Sequence, residues 1–292
     1  MTRSEPAQLR AAAETLAAEA AEFVRSRRAE VFGAHAGGTD SGAVRSKSTP
    51  TDPVTVVDTE TERLLRDRLA ELRPGDPILG EEGGGPTEQE AASDDVVTWV
   101  LDPIDGTVNF VYGIPAYAVS VGAQINGVSV AGAVADVVAG RVYSAAQGLG
   151  AHVIDAQGTH PLRCADVTDL SMALLGTGFG YSIGRRTTQA ALLANMLPLV
   201  RDVRRVGSAA LDLCMVAAGR LDAYYEHGLQ VWDRAAGGLI AAEAGARVLV
   251  PPPGTLGPPG SEAGLVVAAA PGIADALLAA LEKFDGLAPI AD

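Results

Sequence analysis

The stretch WVLDPIDGTVNFVYG, Trp99 to Gly113, decides how the rest of the chain is read. Val96 to Leu101 is apolar and β-branched apart from Thr98 and Trp99, which predicts a buried strand that delivers Asp102 at its carboxyl end. Pro103 has no N–H to give a ladder and should stop that strand. Asp102 and Asp105 then turn toward one point across the bend. Gly106-Thr107 follows where a short helix can begin, with free N–H groups that suit a phosphate. Two carboxylates about 6 Å apart repel by roughly 3 kcal/mol at an effective dielectric near 20, so folding alone does not favour the pair. A divalent cation removes the objection. The plainer account is a capped turn, with Asp102 ending the strand and Asp105 capping the helix; other acids in the chain count against it.

Working outward, Pro77 to Gly80 predicts a short strand ending in Glu81 and Glu82, and Trp232-Asp233 opens a helix running from Arg234 to Ala244. Alone, the two glutamates read as a solvated turn and Asp233 as a helix cap. A strand-end acid beside a strand-end diacid, however, is how oxygen-ligand metal sites are built. Every candidate ligand is a carboxylate, which favours hard Mg2+ over zinc or copper. The four histidines are dispersed, and His227 lacks a second His at ligand spacing, so a zinc site is not expected.

The 292 residues suffice for a large core, and a hydrophobic content of 48% places the chain among globular proteins. A formal charge of -14 argues against non-specific nucleic-acid binding, which needs a basic face. Cys164 and Cys214 lie in apolar surroundings and read as buried free thiols, which fits a reducing compartment. No apolar run reaches the roughly 18 residues of a membrane helix, and the N-terminus lacks an apolar signal segment, so a soluble cytoplasmic protein is expected.

Pro6 to Phe32 predicts one long helix with Leu9, Leu16, Ala20, Phe23, Val24 and Val31 on one side. Gly33 to Ser46 reads as a loop. Asp58 or Thr59 should cap the next helix, with Glu62 completing a capping box, and Pro74-Gly75 should end it. Gly83 to Ser93 reads as an exposed loop. Tyr117 to Asn126 and Val128 to Val138 form a hairpin about Asn126-Gly127, and Arg141 to Ala146, Ala151 to Ile154 and Pro161 to Cys164 extend an antiparallel sheet. Phe110, Tyr112 and Tyr117 read as core or site-wall aromatics.

From Met172 strands and helices alternate: strand to Phe179, helix Thr187 to Val200, strand Val203 to Val206, helix Ser208 to Ala218, strand Leu221 to Glu226. This predicts a partly parallel second layer with ligands at strand carboxyl ends. Pro251 to Gly260 reads as a stiff exposed loop; Gly264 to Ala269 and Ile273 to Phe284 close the chain as strand and helix.

DPIDGTVNF (Asp102 to Phe110), GEE (Gly80 to Glu82), WD (Trp232, Asp233) and KSTPTDPVTVVD (Lys47 to Asp58), at these separations, resemble the inositol monophosphatase family, most closely its bacterial SuhB-like members. The match runs from about Lys47 to Gly245. The resemblance implies an α/β (α+β) fold, a layered αβαβα sandwich. It implies one domain over residues 5–290, with an antiparallel-sheet half, 5–165, and an α/β half, 166–290. It also implies a Mg2+-dependent phosphomonoesterase acting on myo-inositol 1-phosphate and related inositol or sugar phosphates through direct attack of a metal-activated water.

By the same resemblance Glu81, Asp102 and the Ile104 carbonyl hold one ion, and Asp102, Asp105 and Asp233 a second, with a third, weaker ion at Glu81. Lys47 lies near the metals, and Asp58 directs Thr107 to activate the water. Gly106 and Thr107 cradle the phosphate, while Asp105, Gly207, Ser208, Ala209, Glu226 and Asp233 meet the alcohol. Ser208 stands where threonine is common, and GFGYS (Gly178 to Ser182) departs from a more polar segment, with Tyr181 in place of a small hydroxyl residue. Lithium sensitivity and a homodimer are further implications. The rival expectations are a fructose 1,6-bisphosphatase, histidinol phosphatase or 3'-phosphoadenosine phosphatase of the same chemistry, or a protein that joins transcription complexes.

Overall fold

The computed structural model describes residues 6–33, 44–47, 53–86, 90, 96–252 and 264–290. Helix α1, Pro6–Phe32, buries Leu9, Ala13, Leu16, Ala17, Ala20, Ala21 and Val24, a stripe at helical spacing made mostly of alanine. Such small residues let the helix lie close on a sheet. That sheet has seven strands in the order β3-β4-β5-β6-β7-β8-β9: Ile78–Gly80, Thr98–Asp105, Ala118–Ile125, Val128–Asp136, Arg141–Ala146, Ala151–Asp155 and Gly158–Pro161. Only β3 and β4 run parallel; the other neighbours are antiparallel. Alternation along β6 gives the sheet its two faces. Ala131, Ala133 and Ala135 join the cluster under α1 and helix α2, Val56–Leu72, whereas Val134 belongs to a cluster on the opposite side. Gly132 on that opposite side has no room for a side chain, because a Cβ would lie 2.9 Å from Ala236 Cα.

The second sheet, in the order β11-β10-β12-β14-β13, is built from Leu174–Thr177 (β10), Asp202–Arg204 (β11), Ala223–His227 (β12), Arg247–Leu249 (β13) and Leu265–Ala269 (β14). β10 runs parallel to β11 and β12, and β14 antiparallel to β12 and β13. Helices α5, Ala209–Ala217, and α6, Val231–Glu243, fill the space between the two sheets. Helices α4, Ile183–Met196, and α7, Pro271–Lys283, cover the far face of the second sheet through Leu192, Met196, Ile273 and Leu277. The layers therefore run helix, sheet, helix, sheet, helix. A short strand pair, β1 (Val44–Ser46) with β2 (Pro53–Thr55), and the short helix α3, Thr107–Tyr112, complete the framework.

Several boundaries depart from expectation. Pro103 does not end its strand: β4 continues to Asp105 through a register shift between Asp102 and Asp105, so the proline sits in a bulge that needs no N–H. Helix α2 starts earlier than expected. Thr55 is its N-cap, with Asp58 at N3 returning the capping box, so neither Asp58 nor Thr59 caps it and Glu62 is free for another task. Likewise α6 begins at Val231 with Gln230 as cap and Asp233 at N3. The strand expected over 161–164 lies at Gly158–Pro161, and the helix expected over 187–200 is displaced toward Ile183 by the Ser182 cap. Val44–Ser46 pairs as a strand, while most of the loop expected over 33–46, the distal part of that over 83–93, and 253–260 lie outside the described residues. Tyr112 is 60% exposed and belongs to neither core nor pocket wall, unlike Phe110 and Tyr117, which pack edge to face 5.3 Å apart. Cys164 and Cys214 are buried free thiols. No helix among the described residues is long and apolar enough to cross a membrane.

Candidate functional site

A cavity of about 560 Å³ opens where the ends of β3 and β4 meet the carboxyl ends of β10 and β12 and the first turns of α5 and α6. The β4 bulge shifts the register so that Asp102 and Asp105 both line this cavity. Asp102 is fixed by the Ile104 N–H, which donates to Oδ1 at 3.0 Å. Asp105 accepts from the Ser208 hydroxyl and from the Ala210 N–H at 2.7 Å, which ties the first sheet to the start of α5. Asp233 accepts from the Gln230 N–H at 2.6 Å. Asp233, at N3 of α6, thus has one oxygen committed to the cap.

Asp102, Asp105 and Asp233 each present an oxygen within 4.8 Å of the other two. At that separation each ionised pair costs about 3 kcal/mol at an effective dielectric near 20. Burial first, and then the neighbouring carboxylates Glu81, Asp105 and Asp233, raises the Asp102 carboxyl well above its ordinary range. Asp233 is raised in the same way. At Asp105 burial also wins, against opposing hydrogen bonds from Ser208, Ala210 and Ala209. Glu81 lines the same cavity from the end of β3 but stands outside the close trio, held by Lys47 Nζ at 2.8 Å; Lys47 also bonds Glu82. Burial raises Glu81 and Lys47 opposes it. The donor set, carboxylates with the Ile104 carbonyl beside them, consists of hard oxygens and fits Mg2+.

Next to the trio, the Thr107 hydroxyl lies 3.1 Å from Asp58 Oδ1 and 3.0 Å from the Ile104 carbonyl. Asp58 sits behind Thr107, not in the cavity wall; its other oxygen takes the Thr55 N–H at 2.9 Å and the Thr55 hydroxyl at 2.6 Å. Burial pushes Asp58 up to about 7, against the Thr55 hydrogen bonds. Gly106 precedes Thr107 at φ 94°, a conformation that favours glycine. A Cβ there would lie 3.0 Å from both the Ala116 and Gly207 carbonyls.

Gly207, Ser208, Ala209 and Glu226 also line the cavity, together with the 178–182 segment. Glu226 takes the Tyr224 hydroxyl, and burial pushes it up to about 7. Tyr181 lines the cavity and is 37% exposed. His227 Nε2 lies 2.9 Å from the Gly286 carbonyl.

The fold therefore gathers Lys47, Glu81, Asp102, Ile104, Asp105, Gly106, Thr107, Gly207, Ser208, Ala209, Glu226 and Asp233 around one cavity, with Asp58 one step behind. The sequence reading missed Arg205, a cation on the wall whose charge opposes the upward shifts of Asp105, Asp212 and Glu226. It also assigned no role to Asn109, whose amide donates to the Ala116 carbonyl at 2.7 Å and the Val206 carbonyl at 2.9 Å, fastening α3 to the 206–208 turn. A polar residue inside the apolar run VNFVY was the available signal.

The profile of the "Inositol monophosphatase family" matches residues 5–285. The inositol-1-monophosphatase SuhB of Mycobacterium tuberculosis (strain ATCC 25618 / H37Rv) is 74% identical over 295 residues, covering 100% of both chains. The Nus factor SuhB of Pasteurella multocida is 39% identical over 198 residues, 68% of this chain and 71% of that one. Among solved structures, Mycobacterium tuberculosis SuhB superposes with a TM-score of 0.81 at 67% identity, covering 97% of this chain and 99% of that one.

Proposed function

The chain belongs to the inositol monophosphatase family, and from that premise we propose that it is a Mg2+-dependent phosphomonoesterase hydrolysing myo-inositol 1-phosphate and related inositol or sugar phosphates. One observation carries the reading: three carboxylates within 4.8 Å of one another, beside a threonine backed by a buried aspartate, in one cavity. Asp102, Asp105 and Asp233 would hold one cation, and Glu81, Asp102 and the Ile104 carbonyl another, with room for a weaker third at Glu81. When bound, such cations supply Lewis-acid charge at the phosphoryl group and make a neighbouring water acidic.

The chain's own residues do the rest. The Thr107 proton points back to Asp58 or the Ile104 carbonyl, which leaves its lone pairs to accept a hydrogen bond from the attacking water. Asp58, raised to about 7, suits a base that draws that proton through Thr107 near neutral pH. Lys47 holds Glu81 in place and opposes the rise that burial imposes on it. The N–H groups of Gly106 and Thr107 meet phosphate oxygens. Glu226, Ser208 and the Gly207-Ala209 backbone meet the hydroxyls of the alcohol, aided by Asp105 and Asp233.

Phosphate release from myo-inositol 1-phosphate tests this: release should need Mg2+ and stop on chelation. No release from any inositol or sugar ester at saturating Mg2+ contradicts it. Preference for fructose 1,6-bisphosphate, histidinol phosphate or a 3'-phosphoadenosine compound would keep the chemistry and change the substrate. Inhibition by lithium, a homodimer and a cytoplasmic location belong to the same proposal, checked by lithium titration, light scattering and fractionation.

A second reading is favoured by the name of the Pasteurella multocida relative, Nus factor SuhB. If this chain also joins a transcription complex, Asp105→Asn should abolish phosphate release and leave capture of transcription factors intact.

A further inference from the structure

Glu62 is a carboxylate with 2% exposure on helix α2, and no part of it reaches the cavity. It nonetheless has a full set of partners in the turn that carries Glu81. Its Oε2 accepts from the Glu82 N–H at 2.7 Å and its Oε1 from the Gly83 N–H at 2.8 Å. Arg66, one turn along the helix, donates from Nε to Oε1 at 2.8 Å and from its terminal nitrogen to the Gly84 carbonyl at 2.5 Å. The turn closes on itself through the reciprocal Gly80–Gly84 bonds of 3.0 and 3.1 Å. Its glycines are shaped to this side chain: a Cβ on Gly80 would lie 2.4 Å, and one on Gly83 2.6 Å, from Glu62 Oε1. Successive backbone N–H groups make a concave anion site, here filled by the chain's own carboxylate.

Glu62 stands four residues after Asp58, which places both acids on one face of α2. Asp58 holds Thr107; Glu62 holds the turn bearing Glu81. We propose that Glu62 is a positioning residue that fixes Glu81 relative to Thr107, so that α2 acts as a common brace for both and the Glu62 carboxylate sets the cation affinity of the site. The proposal rests on the Mg2+ reading above and concerns a residue that touches neither cation nor substrate.

Calorimetric titration of the full chain with Mg2+ alone, in wild type, Glu62→Gln and Glu60→Gln, tests it. Glutamine can accept only one of the two N–H bonds, so E62Q should bind Mg2+ about 10–100-fold more weakly, the usual cost of removing a residue that orients a ligand. Amide exchange should rise over residues 80–85 while α2 stays protected. E60Q, on the same helix but paired outward with Arg27, should bind like wild type. Arg66→Gln, which keeps the Glu62 carboxylate and its two backbone N–H bonds but loses the Arg66 bonds to Glu62 and to the Gly84 carbonyl, serves if E62Q does not fold and should show a smaller loss. Equal Mg2+ affinity in wild type and a folded E62Q or R66Q overturns the proposal. A wild type that takes up no Mg2+ overturns the cation reading itself, and this inference with it.

Discussion

The two sides of the cavity are built to different standards. On the acid side each side chain is tied down. Asp102 is fixed by the Ile104 N–H, Asp105 by Ser208 and Ala210, Asp233 by Gln230 and Glu81 by Lys47. The remainder of the lining offers Glu226 with a single hydroxyl partner, Arg205, and Tyr181, which is 37% exposed. A side made of fixed charges serves chemistry common to every ester, whereas a wall with fewer ties serves recognition of one alcohol. Substitutions should therefore divide between rate on the first side and substrate affinity on the second.

The largest effect is expected at Asp102, the residue that would serve both proposed cations: Asp102→Asn should lower kcat/KM for phosphate release by about 1,000-fold or more, several kcal/mol of lost charge stabilisation. A loss under tenfold would mean the acids are structural. Thr107→Val, which keeps shape and removes the hydroxyl, should cost about 100-fold in kcat with KM little changed, in the range of general-base contributions.

The buried acids should also show themselves without substrate. Asp58 and Glu226 both rise to about 7 when folded, from ordinary carboxylate values of 3.8 and 4.5. Groups raised on folding contribute stability that is complete below the unfolded value and is lost as pH rises through the folded one. The metal-free protein should therefore melt about 5 °C or more lower at pH 8 than at pH 5. Mg2+ should restore most of that difference at pH 8, where the acids are ionised. A metal-free melting point that rises over this interval contradicts the burial argument.

On the recognition wall, Glu226→Gln should raise KM about tenfold for inositol 1-phosphate with kcat within a factor of three, the loss of about one charged hydrogen bond. Tyr181→Ala should be smallest, within about threefold in KM, as expected of an exposed rim residue.

How much of this could be read beforehand follows the same division. The long helix at Pro6–Phe32, the Asn126-Gly127 hairpin and the strand carrying Asp102 were legible because periodicity and turn chemistry act locally. Helix starts were less so: Asp58 and Asp233 look like caps in sequence, yet each sits at N3, because Thr55 and Gln230 take the cap and the acids answer it. Pro103 misled for a related reason, since a bulge tolerates the proline that an unbroken ladder excludes. The Glu62 clamp joins a side chain to N–H groups 20 residues away, and its trace in sequence, the glycine run after Glu82, does not say what fills the turn. The rest of the lining draws on the 178–182 segment and Arg205, which follow β10 and β11 and come together only in the folded second sheet.

The central claim is that Asp102, Asp105 and Asp233 form a cation cage. A crystal of the protein grown with Mn2+ in place of Mg2+ gives an anomalous signal at the metal. The account predicts a peak coordinated by oxygens of these three aspartates; no peak there, with the carboxylates turned into other hydrogen bonds, would contradict it.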